Sequence, residues 1–232
     1  MAKSTEKSAG DAAGTSVPVA PRTLRETAIN EARRSLILDA ARSAFLELGL
    51  DGASLREIAK RAGYTPGAIY SYFSSREDIY AALLGESLER LKQCVDGATA
   101  GDGSPVPGTP AAASALLRAR ALAFFTFYRD NPQDMDLGFY LFNGARPRGL
   151  TPELNQQLNG QLLATLRPMQ DMLSTLGLPA VEAETETTAI FAHAVGLLML
   201  NNTGRIRLFR QDALALFERY LDALQARLVA AG

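Results

Sequence analysis

One histidine and one cysteine are all that this 232-residue sequence offers for nucleophilic or metal chemistry. His193 sits in an apolar helical pattern with no partner at ligand spacing. It reads as a packed residue, since a structural transition-metal site needs about four N or S donors. The carboxylates are scattered, so no nucleophile–base pair forms. No catalytic residue, metal ligand or cofactor motif is assigned. The polar groups with meaningful spacing fall in residues 54–73, SLREIAKRAGYTPGAIYSYF. Once Ile69 and Phe73 turn inward at i, i+4 spacing, Thr65, Gly67, Tyr70 and Ser71 are left outward. These groups can donate, accept or approach closely without making bonds. Such a face fits a DNA major groove about 12 Å wide.

Local signals bound the elements that must carry this face. Ser54 and Glu57 have capping-box spacing, with Ser54 accepting from the N–H at 57 and Glu57 reaching back to Ser54. A helix then runs through Ile58, Ala59 and Ala62 to Gly63, a residue suited to the left-handed end of a helix. Thr65 is a good N-cap and Pro66 a good first helical residue. Two helices of about eight residues around a Gly turn make a helix-turn-helix. Upstream, residues 28–48 carry Ile37, Ala40, Ala41, Ala44, Phe45 and Leu48 as an apolar stripe, ended by Gly49 and Asp51-Gly52. Downstream, Ser74/Glu77 and Ser75/Asp78 repeat the cap spacing. They open a fourth helix with Ile79, Leu83, Leu84, Leu88, Leu91 and Val95.

The rest of the sequence is helical in pattern, with no alternating strand signal and no repeat. Residues 1–24 are rich in Ala, Gly, Ser, Thr and Pro and read as a disordered arm. Lys3, Lys7 and Arg22 in it, and Arg25 just after it, either brush a phosphate backbone or belong to a free tail. Residues 25–96 form the helix-turn-helix domain, 97–111 a Gly/Pro/Ala linker, and 112–232 a helical body. Expected body helices cover 112–129, 151–176 with a kink at Pro168, 182–202 and 211–230, with a short segment at 134–142. Residues 22–76 hold nine Lys/Arg against six Asp/Glu, and residues 96–232 eleven against thirteen. A basic head on an acidic body suits a nucleic-acid module joined to something else. Cys94 reads as a buried or half-buried free thiol, in keeping with a reducing cytoplasm. No apolar run is long enough to span a bilayer.

The N-terminal block resembles the TetR family of bacterial transcription regulators. The resemblance rests on ILDAARSAFLELG followed by SLREIAKRAGYTPGAIYSYFSSREDIYAALL and covers about residues 30–85. It implies an all-α fold with a three-helix DNA-binding head and a helical body for ligand binding and dimerisation. It implies further that Thr65, Pro66, Gly67 and Ala68 lie nearest base edges in double-stranded operator DNA. Tyr70 would meet a thymine methyl or a phosphate, and Tyr72 the phosphate backbone. Ser54 and Arg56 match positions that contact phosphate or a base, the Arg56 fork suiting the O6 and N7 of guanine. Arg76 stands where many members place Lys, for a phosphate. Lys60 and Arg61 are left as solvated charges.

The same resemblance implies a homodimer through the last two helices, about 184–203 and 211–230, with Ala194 and Gly196 permitting close contact. Two reading heads would then be spaced by about one DNA turn, 34–36 Å. A pocket for a small apolar or amphipathic effector is expected from Phe124, Tyr128, Phe139, Tyr140, Phe142, Met169 and Met172. Arg146 and Arg148 either meet an acidic effector or sit in a solvated loop. The expected function is a cytoplasmic regulator, a repressor released from a palindromic operator by its effector. A constitutive regulator whose body binds a protein partner is the alternative, and an all-helical enzyme is disfavoured by the missing catalytic groups.

Overall fold

The computed structural model describes residues 21–101, 106, 108–140 and 150–231, with side chains at 21–24, 50, 51, 140 and 231 left out. All regular structure among them is helical. Helix α1 spans Pro21–Gly52 and is broken at Gly49, whose φ of 72° and ψ of 171° leave helical space. It therefore starts before residue 28, and residues 21–24 are helix rather than arm. Residues 1–20, with Lys3 and Lys7, lie outside the described residues. Ile37, Ala41, Ala44 and Phe45 are fully buried, while Leu48 of the same stripe is 42% exposed.

Helices α2 (Leu55–Ala62) and α3 (Pro66–Tyr70) pack on each other and α2 on α1. Ile58, Ala59 and Ile69 are fully buried beneath them and Phe73 is nearly so. Helix α4 (Arg76–Asp96) is shared between head and body. It meets α1 on one side and α5 (Pro110–Asp130) and α7 (Pro152–Thr175) on the other. The expected division near residue 97 falls at its end, so head and body are joined along its whole length. Cys94 is exposed on α4 and not buried, because it leaves the stripe formed by Leu84, Leu88, Leu91 and Val95.

In the body, α5 leads through Asn131 into the single turn α6 (Pro132–Met135), which continues as a π-helical stretch over Asp136–Tyr140. The Tyr80 hydroxyl of α4 donates to the Leu137 carbonyl in that stretch at 2.5 Å. Arg146 and Arg148 lie outside the described residues. Helix α7 runs through Pro168 as one helix. Helix α8 (Ala180–Asn202) and α9 (Ala213–Ala231) pack together, joined by a 3₁₀ turn over Arg205–Phe209.

Three ion pairs tie the first helix and α4 to their neighbours. Arg34 meets Glu86 at 3.0 Å and also lies 5.3 Å over the Phe73 ring. Arg90 meets Asp134 at 2.5 Å, and Arg42 approaches the same carboxylate oxygen at 3.7 Å. Asp134 is buried, so two guanidinium groups from two other helices converge on one body carboxylate.

Candidate nucleic-acid interface

Each turn of the head closes on a cap that its sequence specifies. Ser54 Oγ accepts from the Glu57 N–H at 3.2 Å. Only this half of the expected capping box forms. The Glu57 carboxylate turns to Arg61, whose Nε donates to it at 2.8 Å. Arg61 also donates to Ser43 at 3.1 Å and to Glu47 at 2.6 Å. Arg61 is thus a strut between α2 and α1 instead of a solvated charge. These bonds hold the Glu57 carboxyl below its usual range and raise the guanidinium above its own.

Gly63 ends α2 in the left-handed region, φ 72° and ψ 25°, with its N–H reaching back to the Ala59 and Lys60 carbonyls. A side chain would meet no atom within 4 Å there, so only the backbone conformation asks for glycine. Thr65 Oγ1 then accepts from the Ala68 N–H at 3.3 Å, and Pro66 opens α3. Helix α3 holds five residues rather than about eight. Its chain direction continues for one more turn, because the Phe73 N–H donates to the Ile69 carbonyl at 3.0 Å.

This geometry turns most of the expected contact residues outward. Ser54, Arg56, Thr65, Pro66, Gly67, Tyr70 and Ser71 are exposed, and Ala68 is half-buried. Tyr70 stands 59% exposed, a large aromatic ring in solvent on a helix whose opposite side is core. Ser71 Oγ is turned to its own helix, donating to the Ala68 carbonyl at 2.7 Å. Tyr72 is half-buried, its hydroxyl 3.5 Å from Asn30 Oδ1 of α1. Arg76 is half-buried, with Nε donating to Glu77 at 2.7 Å. Ser75 caps α4 by accepting from the Asp78 N–H at 3.0 Å, while Ser74 bonds the Asp78 carboxylate. The Ser74/Glu77 alternative does not form, because Glu77 is engaged by Arg76.

The residues expected around an effector pocket are arranged differently. Phe124, Tyr128 and Met169 are at most 2% exposed. Phe124 stands edge-on to Tyr128 at 5.2 Å and to Phe191 at 5.8 Å, and Tyr128 edge-on to Phe139 at 5.8 Å. These rings fill one another's space in the centre of the body. Burial, and then the Asp134 charge, push the Tyr128 hydroxyl well above its usual range. Phe142 lies outside the described residues, and of Tyr140 only the backbone is described. Met172 lines an open groove, of about 430 Å³ beside Leu116, Arg120 and Thr175. A larger groove of about 880 Å³ runs between α5 and α9, with Ala111, Ala115, Leu228 and Val229 on its walls.

Arg120 was missed by sequence reading although a signal was present. It is spaced with Ala113, Leu117, Ala121 and Phe124 on the inner stripe of α5, where a charge is out of place. His193 is stacked on Tyr220, ring centres 4.3 Å apart, and burial lowers its pKa. The Tyr220 hydroxyl donates to Glu186 at 3.1 Å, and burial pushes its pKa up to about 12. Ala194 faces its own protomer's core, fully buried, whereas Gly196 is exposed. No group of His, Cys, Asp and Glu among the described residues could hold a metal, and no described helix is long and apolar enough to cross a membrane.

Comparison with known proteins matches residues 37–83 to the model of bacterial regulatory proteins of the tetR family. The chain is 38% identical over 63 residues to the HTH-type transcriptional repressor AcnR of Corynebacterium diphtheriae, 27% of this chain and 33% of that one. It is 33% identical over 107 residues to the HTH-type transcriptional activator FasR of Mycolicibacterium smegmatis, 46% of this chain and 45% of that one. The matches therefore span from about a third to under half of these relatives' lengths. Among solved structures, FadR of Bacillus subtilis in complex with stearoyl-CoA superposes with a TM-score of 0.58 at 22% identity, covering 82% of this chain and 96% of that chain. Residues 37–83 thus match the head of the tetR family of bacterial regulatory proteins, and the described helices share the fold of the Bacillus subtilis FadR structure.

Proposed function

We propose that this chain is a sequence-specific DNA-binding transcriptional regulator, acting in the cytoplasm as a homodimer. The observation that carries the reading is the outer face of α3. Thr65, Pro66, Gly67 and Tyr70 are exposed on it while Ile69 behind them is fully buried. No described residue covers that face, and its width suits a major groove. Ser54 and Arg56 flank it from the start of α2, and Ala68, Ser71 and Tyr72 complete its edge. Arg76 enters as a phosphate contact only by leaving Glu77, so Arg56 is the stronger candidate for base readout.

Dimerisation is assigned to α8 and α9. Ala189, Ala192 and Gly196 are exposed in one row on α8, with Met199 40% exposed at its end. Small residues in such a row let a second helix approach closely. Control is assigned to a small-molecule effector that binds the body and releases the regulator, as a repressor, from a palindromic operator. The Bacillus subtilis structural neighbour, solved with stearoyl-CoA, is in keeping with an amphipathic ligand. The constitutive alternative, with a protein partner and no ligand, is favoured by one observation, the closed aromatic centre around Phe124 and Tyr128.

Selection of random duplex DNA by the full-length protein tests this reading. A two-fold-symmetric site is expected to emerge, bound by a dimer. Failure to enrich any site, or enrichment that Arg56→Ala and Tyr70→Ala leave untouched, would overturn it.

A further inference from the structure

The 430 Å³ groove on the body holds a charge, Arg120, that no carboxylate among the described residues balances. Every other half-buried arginine among the described residues has a carboxylate beside it. Arg34 has Glu86, Arg42 has Asp134, Arg61 has Glu47 and Glu57, Arg76 has Glu77, Arg118 has Asp222 and Arg129 has Asp130. Arg120 has none among the described residues. Its Nη1 donates to the Pro168 carbonyl at 3.1 Å, a neutral acceptor. Its Nε is buried and has no hydrogen-bond partner. Withdrawing a cation from water without a counter-charge is costly, and an unmade bond at a buried donor adds to that cost. Around it the lining is mostly small and apolar, with Ala98, Ala112, Leu116 and Met172 among its walls. The volume lies within the range of small-molecule sites, about 300–1,000 Å³.

We propose that this groove is a binding site for an aliphatic carboxylic acid. The carboxylate meets the Arg120 guanidinium, and the hydrocarbon chain lies along Ala112, Leu116 and Met172. A guanidinium pairs with a carboxylate through charge-assisted hydrogen bonds, and Arg120 is the cation that lines this groove. A neutral lipid or a thioester brings no carboxylate to that point. The site deepens the effector reading, and its regulatory meaning rests on it. Ala98 and its neighbours follow directly from α4, and α5 and α7 pack along α4. An acid bound here therefore touches the elements that carry the head.

The test is calorimetric titration of the full-length protein with decanoate and with 1-decanol. Arg120→Gln removes the charge and keeps a neutral amide near the Nε position; Arg120→Met removes every donor. Wild type is expected to bind decanoate saturably, and at least tenfold more tightly than decanol. Arg120→Gln is expected to weaken decanoate by roughly tenfold to a hundredfold and to leave decanol unchanged. Without ligand, Arg120→Met is expected to melt at or above the wild-type temperature, as for a cation replaced by an apolar isostere. Equal decanoate affinity in wild type and Arg120→Gln overturns the site, as does equal affinity for acid and alcohol or no saturable binding. A lower melting temperature for Arg120→Met also counts against it, by making the guanidinium a structural strut. If decanoate binds through Arg120 and DNA affinity does not change, the site stands and the effector-release reading fails.

Discussion

Arg42 of the first helix and Asp134 of the body stand 3.7 Å apart, and Arg90 of α4 reaches the same carboxylate oxygen at 2.5 Å. The carboxylate is buried, and its two partners come from elements that separate if head and body move. Asp134→Asn leaves two guanidinium groups facing a neutral amide. Because Arg90 is about half exposed, the loss is smaller than for a fully buried pair, about 1–3 kcal/mol. Thermal denaturation should show a melting temperature lower by several degrees. Arg90→Met combined with Asp134→Asn should cost less than the sum of the two. Strict additivity would show that the carboxylate does not join these elements.

Arg56 and Tyr70 are exposed and far from the packed side of the head. Changing either to alanine should alter stability by no more than about 0.5 kcal/mol. Arg56→Ala should cost about 1–3 kcal/mol on the selected DNA site and little on a variant site lacking the matching guanine. Tyr70→Ala should weaken binding to both. Fluorescence anisotropy on the two duplexes separates these outcomes, and an even loss for Arg56→Ala would assign it to phosphate instead.

Thr65 has two roles that can be separated. Its hydroxyl caps a helix of five residues that has little stability of its own. Thr65→Ala should cost about 1 kcal/mol, read by urea denaturation, and Thr65→Ser should restore most of it. DNA binding that remains impaired in Thr65→Ser would assign the methyl group to the interface.

His193 is the one histidine, so its titration is isolated from others of its kind. Burial lowers its folded pKa below the unfolded value near 6.5. The unfolded chain then takes up the proton first. Stability is full above about pH 6.5 and is lost as pH falls through the folded value. His193→Phe keeps a ring against Tyr220 and removes the proton site. Denaturation curves at pH 7.5 and pH 5.5 should lie closer together in the variant, and an unchanged gap would assign the loss to carboxylates.

The head was legible because its signals are local. Ser54, Gly63, Thr65 and Ser75 each act within four residues, and each takes the cap its type favours. What was not legible depends on distant partners. Glu57 could have closed its capping box, but Arg61 competes for it from the next turn. The aromatic residues of α5 have the spacing of a pocket wall, yet Phe191 of α8 and Phe139 close over them. Ala194 and Gly196 lie two residues apart, and the packing of α5, α7 and α9 on α8 decides which faces out. Arg120 looked like one more helix charge until its neighbours proved to carry none opposite it.

Helix α4 spans 21 residues, so at 1.5 Å per residue it is a rod about 31 Å long. One end opens with Arg76, six residues after the end of α3, and the other runs into Ala98 at the groove that holds Arg120. Rotating such a rod by about 5° about its far end carries the near end through about 3 Å, close to the 3.4 Å rise between base pairs. The length of this one helix means that a difference of about 5° in its direction at the groove would correspond, at the head, to about one step of the double helix.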